Sequence, residues 1–223
     1  GHQVPTGVAM SQARRSQLLE HAARYDAVIV EDDYDSESNF MLNPLPALKA
    51  SDRSGRVIYV SSLSKALSPG LRLGFMVADP DLIDEARALR RLIYRHPPTN
   101  IQYQMAHFLA QGHYETHLRR YHFDSAQRWE RLNNALHRYL PECRIIPGSE
   151  HANAFWLATP KQINTQQLTW RAAHAGVLIE PGARHFLNAN PPENFFRMGF
   201  HAINPDAIAP GVEVLCHQLA QLG

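Results

Sequence analysis

The sequence predicts an α/β fold, and three observations carry that expectation. Short apolar runs alternate with amphipathic helical patterns along the chain. Two of those runs end in clusters of polar side chains, as strands of an open α/β sheet do where ligands gather. Beyond Pro141 the same alternation returns in a smaller unit. The chain has 223 residues, 44% of them hydrophobic, which is enough for a buried core and for one or two domains. The expected boundary lies inside a long helix, dividing the chain into residues 1–115 and 116–223.

The elements follow in order. Residues 11–24 have helical spacing, with Leu18, Leu19, Ala22 and Ala23 on one side. Residues 27–30 read as a short strand that runs into the acidic stretch EDDYDSE at 31–37. Asn43-Pro44-Leu45-Pro46 is a rigid excursion before the next strand. Strands are expected over 57–61 and 71–77, with a short polar connection between them. Strand, helix and strand in succession suggest parallel units. Pro80 opens a helix that runs to about residue 94, proline being a good first-turn residue. A proline-broken loop at 95–100 separates it from helices over 99–111 and 113–139, with Gly112 between the two. Leu118, Tyr121, Trp129, Leu132 and Leu136 make the expected buried stripe of the longer helix. In the smaller unit, strands are expected at 143–146, 154–158, 177–180 and 194–200. Helices are expected at 165–173 and 205–222.

Charge and cysteine usage narrow the function classes. Twenty-two basic residues against 21 acidic ones give a formal charge of +1, so no global field argues for a nucleic acid or a membrane surface. Cys143 and Cys216 form no CxxC and no disulfide framework, which fits a reducing cytoplasm. No apolar run approaches the ~20 residues that span a bilayer. The segment from Gly1 to Gly7 enters turn chemistry without a first strand, and reads like a chain cut within a domain.

The connection between the strands at 57–61 and 71–77 is the chemically distinctive stretch. It places Lys65 beside the hydroxyls of Ser62 and Ser64, with Arg72 seven residues on. A lysine that loses solvation there becomes an amine nucleophile toward a carbonyl. The hydroxyls and the guanidinium suit a phosphate dianion. A carbonyl compound that carries a phosphate is the description of pyridoxal 5′-phosphate (PLP). The competing reading is a solvated turn with a surface lysine. Asp32 and Tyr34 point the same way in an extended segment. A carboxylate suits a pyridine nitrogen and a phenol suits the cofactor's phenolic oxygen; the alternative is an acidic loop capping a strand. Arg197 interrupts an apolar strand and needs an anionic partner, either a structural carboxylate or that of a ligand.

Other constellations carry less. His113 and His117 are spaced i, i+4, but no HExxH and no third ligand accompanies them. Arg119, Arg120, Arg128 and Arg131 interleave with Glu115, Asp124 and Glu130, the pattern of an ordinary exposed helix.

Together, SxSKxxxPGLRxGF from Ser62, EDDYD from Glu31 and FFRMGF from Phe195 resemble the fold-type I PLP-dependent enzymes of the aspartate aminotransferase class. The resemblance implies the second half of a large PLP-binding domain over 1–115 and a small C-terminal α/β domain over 116–223. It implies Lys65 as the residue joined to the cofactor and as the catalytic group, with Ser62, Ser64 and Arg72 on the phosphate. Asp32 falls under the ring nitrogen, Tyr34 on the phenol oxygen and Arg197 on a substrate α-carboxylate. A closer likeness, carried by HQVPTG, EDDYDSE, NPLPAL and GHYETHLRR, is to the aminotransferase-like domain of MocR-type regulators within the GntR family. On that likeness the chain is a C-terminal fragment of a cytoplasmic, dimeric transcription regulator, carrying the lysine and half of the pocket and expected to hold PLP weakly or not at all alone. Such regulators bind DNA through an N-terminal winged helix-turn-helix domain and sense an amino acid or amine by aldimine exchange at the lysine. Where aminotransferases usually have Asn before Pro-Thr-Gly, this chain has Val4, which cannot make that residue's hydrogen bond. An active aminotransferase working on an amino acid and a 2-oxo acid is the alternative. The same likeness puts Arg95, His96 and Asn100 at a dimer interface, and Arg184 and His185 on the ligand side.

Overall fold

In the computed structural model, which describes residues 3–33, 37, 45–148 and 153–223, the chain opens on helix α1 (Gln12–Arg24). Ser11 caps it, its side chain accepting from the Arg14 amide and satisfying one of the first-turn donors that a helix leaves open. Strands β1 (Ile29–Asp32), β2 (Val57–Ser62) and β3 (Gly74–Val77) then form a three-stranded sheet in that order. β1 and β2 are parallel, with Ile29 opposite Val57 and Asp32 opposite Val60. The strand at 27–30 therefore begins two residues later than the apolar run suggests, and Glu31 and Asp32 belong to the strand itself.

The β1–β2 pair is parallel, as strand, helix and strand in succession suggest, while β3 runs antiparallel to β2. The connection holds only turns and a 3-10 segment, Pro69–Leu71, and a parallel return needs a crossover of a dozen or more residues, usually helical. Helices α2 (Pro80–Tyr94) and α3 (Thr99–Ala110) follow, α2 capped by Asp79 with Pro80 in its first turn. Helix α4 (His113–Tyr139) is continuous over 27 residues. Of its expected stripe, Leu132 and Leu136 are buried, while Leu118, Tyr121 and Trp129 are half-buried. Tyr114, Ser125 and Ala135 complete the covered face.

The chain divides into two units. One is formed by residues 10–121, the other by 122–223 with the segment before residue 10. In the first, Leu63, Met105 and Tyr114 make a buried cluster joined by Leu67, Leu73, Phe108 and Leu118.

The second unit is built on an antiparallel sheet of four strands in the order β4-β5-β7-β6: β4 (Arg144–Ile145), β5 (Ala154–Ala158), β7 (Phe195–Gly199) and β6 (Glu180–Pro181). Every residue of β5 is buried. Helices α5 (Thr165–His174) and α6 (Pro205–Ala220) add Leu168, Ala172, Ile208, Val212, Leu215 and Leu219 to the core. Cys143 is buried near the end of α4, and burial foremost pushes its thiol up to about 12. Among the described residues no helix is long and apolar enough to cross a membrane.

Candidate functional site

The carboxyl ends of β1 and β2 lie side by side because the two strands are parallel. Three acidic residues arrive there together, and the fold gives each a different task. Glu31 accepts the amides of Leu48 and Lys49 at 2.6 and 2.9 Å, pinning the 3-10 segment Leu48–Ser51. Asp33 accepts from the Tyr59 hydroxyl at 3.2 Å, and its carbonyl takes a bond from the buried Ser61 hydroxyl at 3.0 Å. Asp32 alternates to the opposite face from Glu31 and is exposed, with no side-chain hydrogen bond or ion pair among the described residues. Tyr34, its expected companion, lies outside the described residues.

The Lys65 connection is held from several directions. The Ser62 hydroxyl accepts the Ser64 amide at 3.2 Å, which turns the chain immediately before Lys65. The Leu63 amide donates to the Leu73 carbonyl at 3.0 Å, and the Leu67 amide to the Leu63 carbonyl at 3.1 Å. The leucine side chains enter the apolar cluster below, so Ser64 and the half-buried Lys65 are carried on a fixed base. The His117 ring donates from Nε2 to the Ala66 carbonyl at 2.6 Å. His117 is spaced i, i+4 from His113, yet its partner is a backbone oxygen 51 residues away, which no local pattern announces.

Across the ladder, Ser62 pairs with Gly74. A Cβ at Gly74 would meet the Ser61 carbonyl oxygen at 2.7 Å, so the closeness of the strands here requires glycine. Arg72, two residues earlier, takes a left-handed backbone (φ 47°, ψ 39°) and is exposed, without a side-chain partner among the described residues. Ser62, Ser64, Lys65 and Arg72 thus belong to one short ladder-closed connection. The ladder also brings it to the end of β1 that carries Asp32.

The other candidate residues are in the second unit. Trp156, Arg197 and Glu180 are register partners in a row across β5, β7 and β6. Arg197 Nη1 donates to Glu180 Oε2 at 3.1 Å, and both side chains are about a quarter exposed, at 24% and 25%. The anionic partner that an arginine in this strand requires is therefore supplied by the chain. Arg184 donates to Glu180 Oε1, and His185 Nε2 lies 3.3 Å from the same oxygen. The His185 ring stands perpendicular to Trp156, 5.7 Å between centroids. Burial first, then the charges of Arg184 and Arg197, hold its pKa below the ordinary histidine value. Glu180 was not singled out in the sequence, where it ends an apolar run and looks like a strand-end charge. Gly182 closes this corner, since a Cβ there would come within 2.5 Å of the Trp156 ring.

The remaining candidates have local contacts. Arg131 pairs with Asp206 at 2.6 Å, Arg128 donates to the Ile203 carbonyl and Arg119 to the Thr116 hydroxyl. Arg95 has a positive φ of 61° at the end of α2, and the His96 ring reaches the Pro97 carbonyl. Asn100 sits in the first turn of α3. Among the described residues no group of histidine, cysteine or acidic side chains is arranged to hold a metal ion.

A lysine turn beside the end of a parallel strand pair, followed by a small antiparallel unit, defines an α/β protein with a candidate site at its strand ends. Comparison with known proteins makes this specific. Residues 3–215 match the family described as aminotransferase class I and II. The chain is 37% identical to the HTH-type transcriptional regulator TauR of Rhodobacter capsulatus, over 98% of this chain and 45% of that protein. It is 35% identical to the probable rhizopine catabolism regulatory protein MocR of Rhizobium meliloti, over 96% of this chain and 43% of that one. Among solved structures, Pyrococcus horikoshii kynurenine aminotransferase superposes with a TM-score of 0.87 at 30% identity, covering 98% of this chain and 54% of the enzyme. The chain belongs to the aminotransferase class I and II family. It carries part of the fold-type I architecture, and spans about half the length of the curated relatives it matches.

Proposed function

We propose that this chain is the effector-sensing part of a MocR-type regulator of the GntR family, binding PLP at Lys65 and responding to an amino acid or amine. The observation that carries the reading is the donor set at the β1 and β2 ends. It offers an amine for an aldehyde, a carboxylate without a side-chain partner among the described residues for a ring nitrogen, and two hydroxyls with a guanidinium for a phosphate. That set supports PLP at three of its groups, the aldehyde, the ring nitrogen and the phosphate. When bound, PLP supplies a reactive carbonyl conjugated to an electron-withdrawing ring.

The chain's own residues divide the work. Lys65 provides the attaching amine, and its half-burial together with the fixed leucine base limits the geometries it samples. Asp32 keeps the ring nitrogen protonated by charge. Ser62 and Ser64 donate to phosphate oxygens, while Arg72 neutralises them. Arg197 takes the acid group of the effector. Cytoplasmic location, homodimerisation, and DNA binding through a winged helix-turn-helix domain elsewhere in a longer protein belong to the same proposal. They rest on the likeness to TauR and MocR.

A catalytically active aminotransferase is the second reading, favoured by the likeness to kynurenine aminotransferase. Val4 weighs against it, because an apolar side chain replaces a hydrogen-bonding one beside Pro5-Thr6-Gly7.

Incubation with PLP, borohydride reduction and peptide mapping test the site. The expected result is one adduct on Lys65, lost in Lys65→Ala. An adduct that forms elsewhere, or none at all, overturns the assignment. Amino compounds added before reduction separate the two functions: loss of the adduct without release of a 2-oxo acid supports the sensor, and sustained conversion supports the enzyme.

A further inference from the structure

The Arg197 site contains an acid of its own. Glu180 faces Arg197 across the β6–β7 pair and takes Nη1 at 3.1 Å, the guanidinium's one side-chain hydrogen bond among the described residues. Arg197 thus keeps most of its five donors, including the side-on Nε and Nη2 pair, but the end-on fork of Nη1 and Nη2 is already engaged by a negative charge. A second carboxylate entering here either displaces Glu180 or sits beside its negative charge, and both weaken binding. Glu180 also has somewhere to go: its other oxygen is held by Arg184, with His185 Nε2 at 3.3 Å. Arg184 is 65% exposed, so it can follow the displaced carboxylate at little packing cost.

From this cluster we propose that Glu180 is a specificity-determining residue, an internal carboxylate that competes with monocarboxylate ligands for Arg197. The proposal rests on the reading of Arg197 as the residue that takes the effector's acid group, and adds what sets the affinity there. The site then rejects small monocarboxylates at low concentration, and Arg184 tunes the threshold by drawing Glu180 away from Arg197.

Pyruvate serves as the probe, titrated into the full 223-residue chain at neutral pH while NMR follows the Arg197 Nε–H and the Trp156 indole N–H. Glu180→Gln removes the competing charge and is expected to lower the pyruvate Kd about tenfold, as loss of one charge-assisted competitor implies. Arg184→Gln leaves Glu180 committed to Arg197 and is expected to raise the Kd severalfold; general loosening would weaken binding in both variants and cannot give effects of opposite sign. An unchanged or higher Kd in Glu180→Gln, or a lower one in Arg184→Gln, overturns the proposal. Arg197→Gln distinguishes the two levels. If it abolishes pyruvate binding while Glu180→Gln changes nothing, only the competitor role fails. If pyruvate still binds unchanged, the ligand role of Arg197 fails and takes the proposal with it.

Discussion

The acidic cluster shows how much depends on single side chains. Glu31, Asp32 and Asp33 are adjacent, yet one holds a 3-10 segment, one faces outward and one meets a tyrosine hydroxyl. Alternation along β1 separates Glu31 from Asp32, and the paired strand then decides what each face meets. Gly74 is the strictest position of the lysine connection, since any Cβ must push against the Ser61 backbone. Gly74→Ala is expected to destabilise the chain by about 1–3 kcal/mol in denaturant unfolding, the usual cost of overpacking against a surface that cannot yield. It should also reduce the yield of the Lys65 adduct, because Ser62 is its ladder partner. Unchanged stability and adduct yield would show that the ladder relaxes freely there.

At the scale of elements, β2 is the strand on which the site depends, and Asp52 governs its entry. The Asp52 carboxylate accepts the Val57 amide at 2.8 Å, the Ser54 amide at 3.0 Å and the Lys49 ammonium at 3.2 Å, with its own side chain fully covered. Burial alone would push its pKa up, but these donors outweigh it and hold the carboxyl far below the ordinary range. The unfolded chain takes up this proton near pH ~3.9, before the folded one does. Stability from Asp52 is therefore present above that value and lost as pH falls below it. Asp52→Ala is expected to cost about 2–3 kcal/mol at neutral pH, by leaving buried donors unpaired. Asp52→Asn should flatten the acid side of the stability profile, which unfolding measured from pH 6 down to about pH 3 would reveal.

For the whole molecule, both units combine a buried core with exposed apolar side chains, Leu178 (83%) and Leu187 (103%) among them in the second. In the second, β5 is wholly buried and α5 and α6 complete the core. In the first, Val30 on β1 is 64% exposed, and Leu92 and Ile93 on α2 are 85% and 76% exposed. Exposed apolar surface of this kind binds hydrophobic dyes. The chain is expected to enhance ANS fluorescence, and Leu92→Lys with Ile93→Lys to reduce that enhancement while far-UV circular dichroism stays the same. Equal dye binding by the variant would place the accessible apolar surface elsewhere.

Helices α2, α3 and α4 could be read from the sequence almost to the residue, because their caps and glycine or proline breaks are local. The lysine connection and the Arg197 strand were legible for a similar reason: a charged or hydroxyl-rich segment stands out against apolar runs. Local pattern did not contain the His117 bond to the Ala66 carbonyl or the Glu180 partner of Arg197. By itself the sequence determined where an amine, hydroxyls, guanidinium groups and carboxylates stand close together along the chain. Only the tertiary structure decided which carboxylates are spent on the fold and which stay available, because hydrogen-bond partners are set by strand register and by contacts between residues distant along the chain.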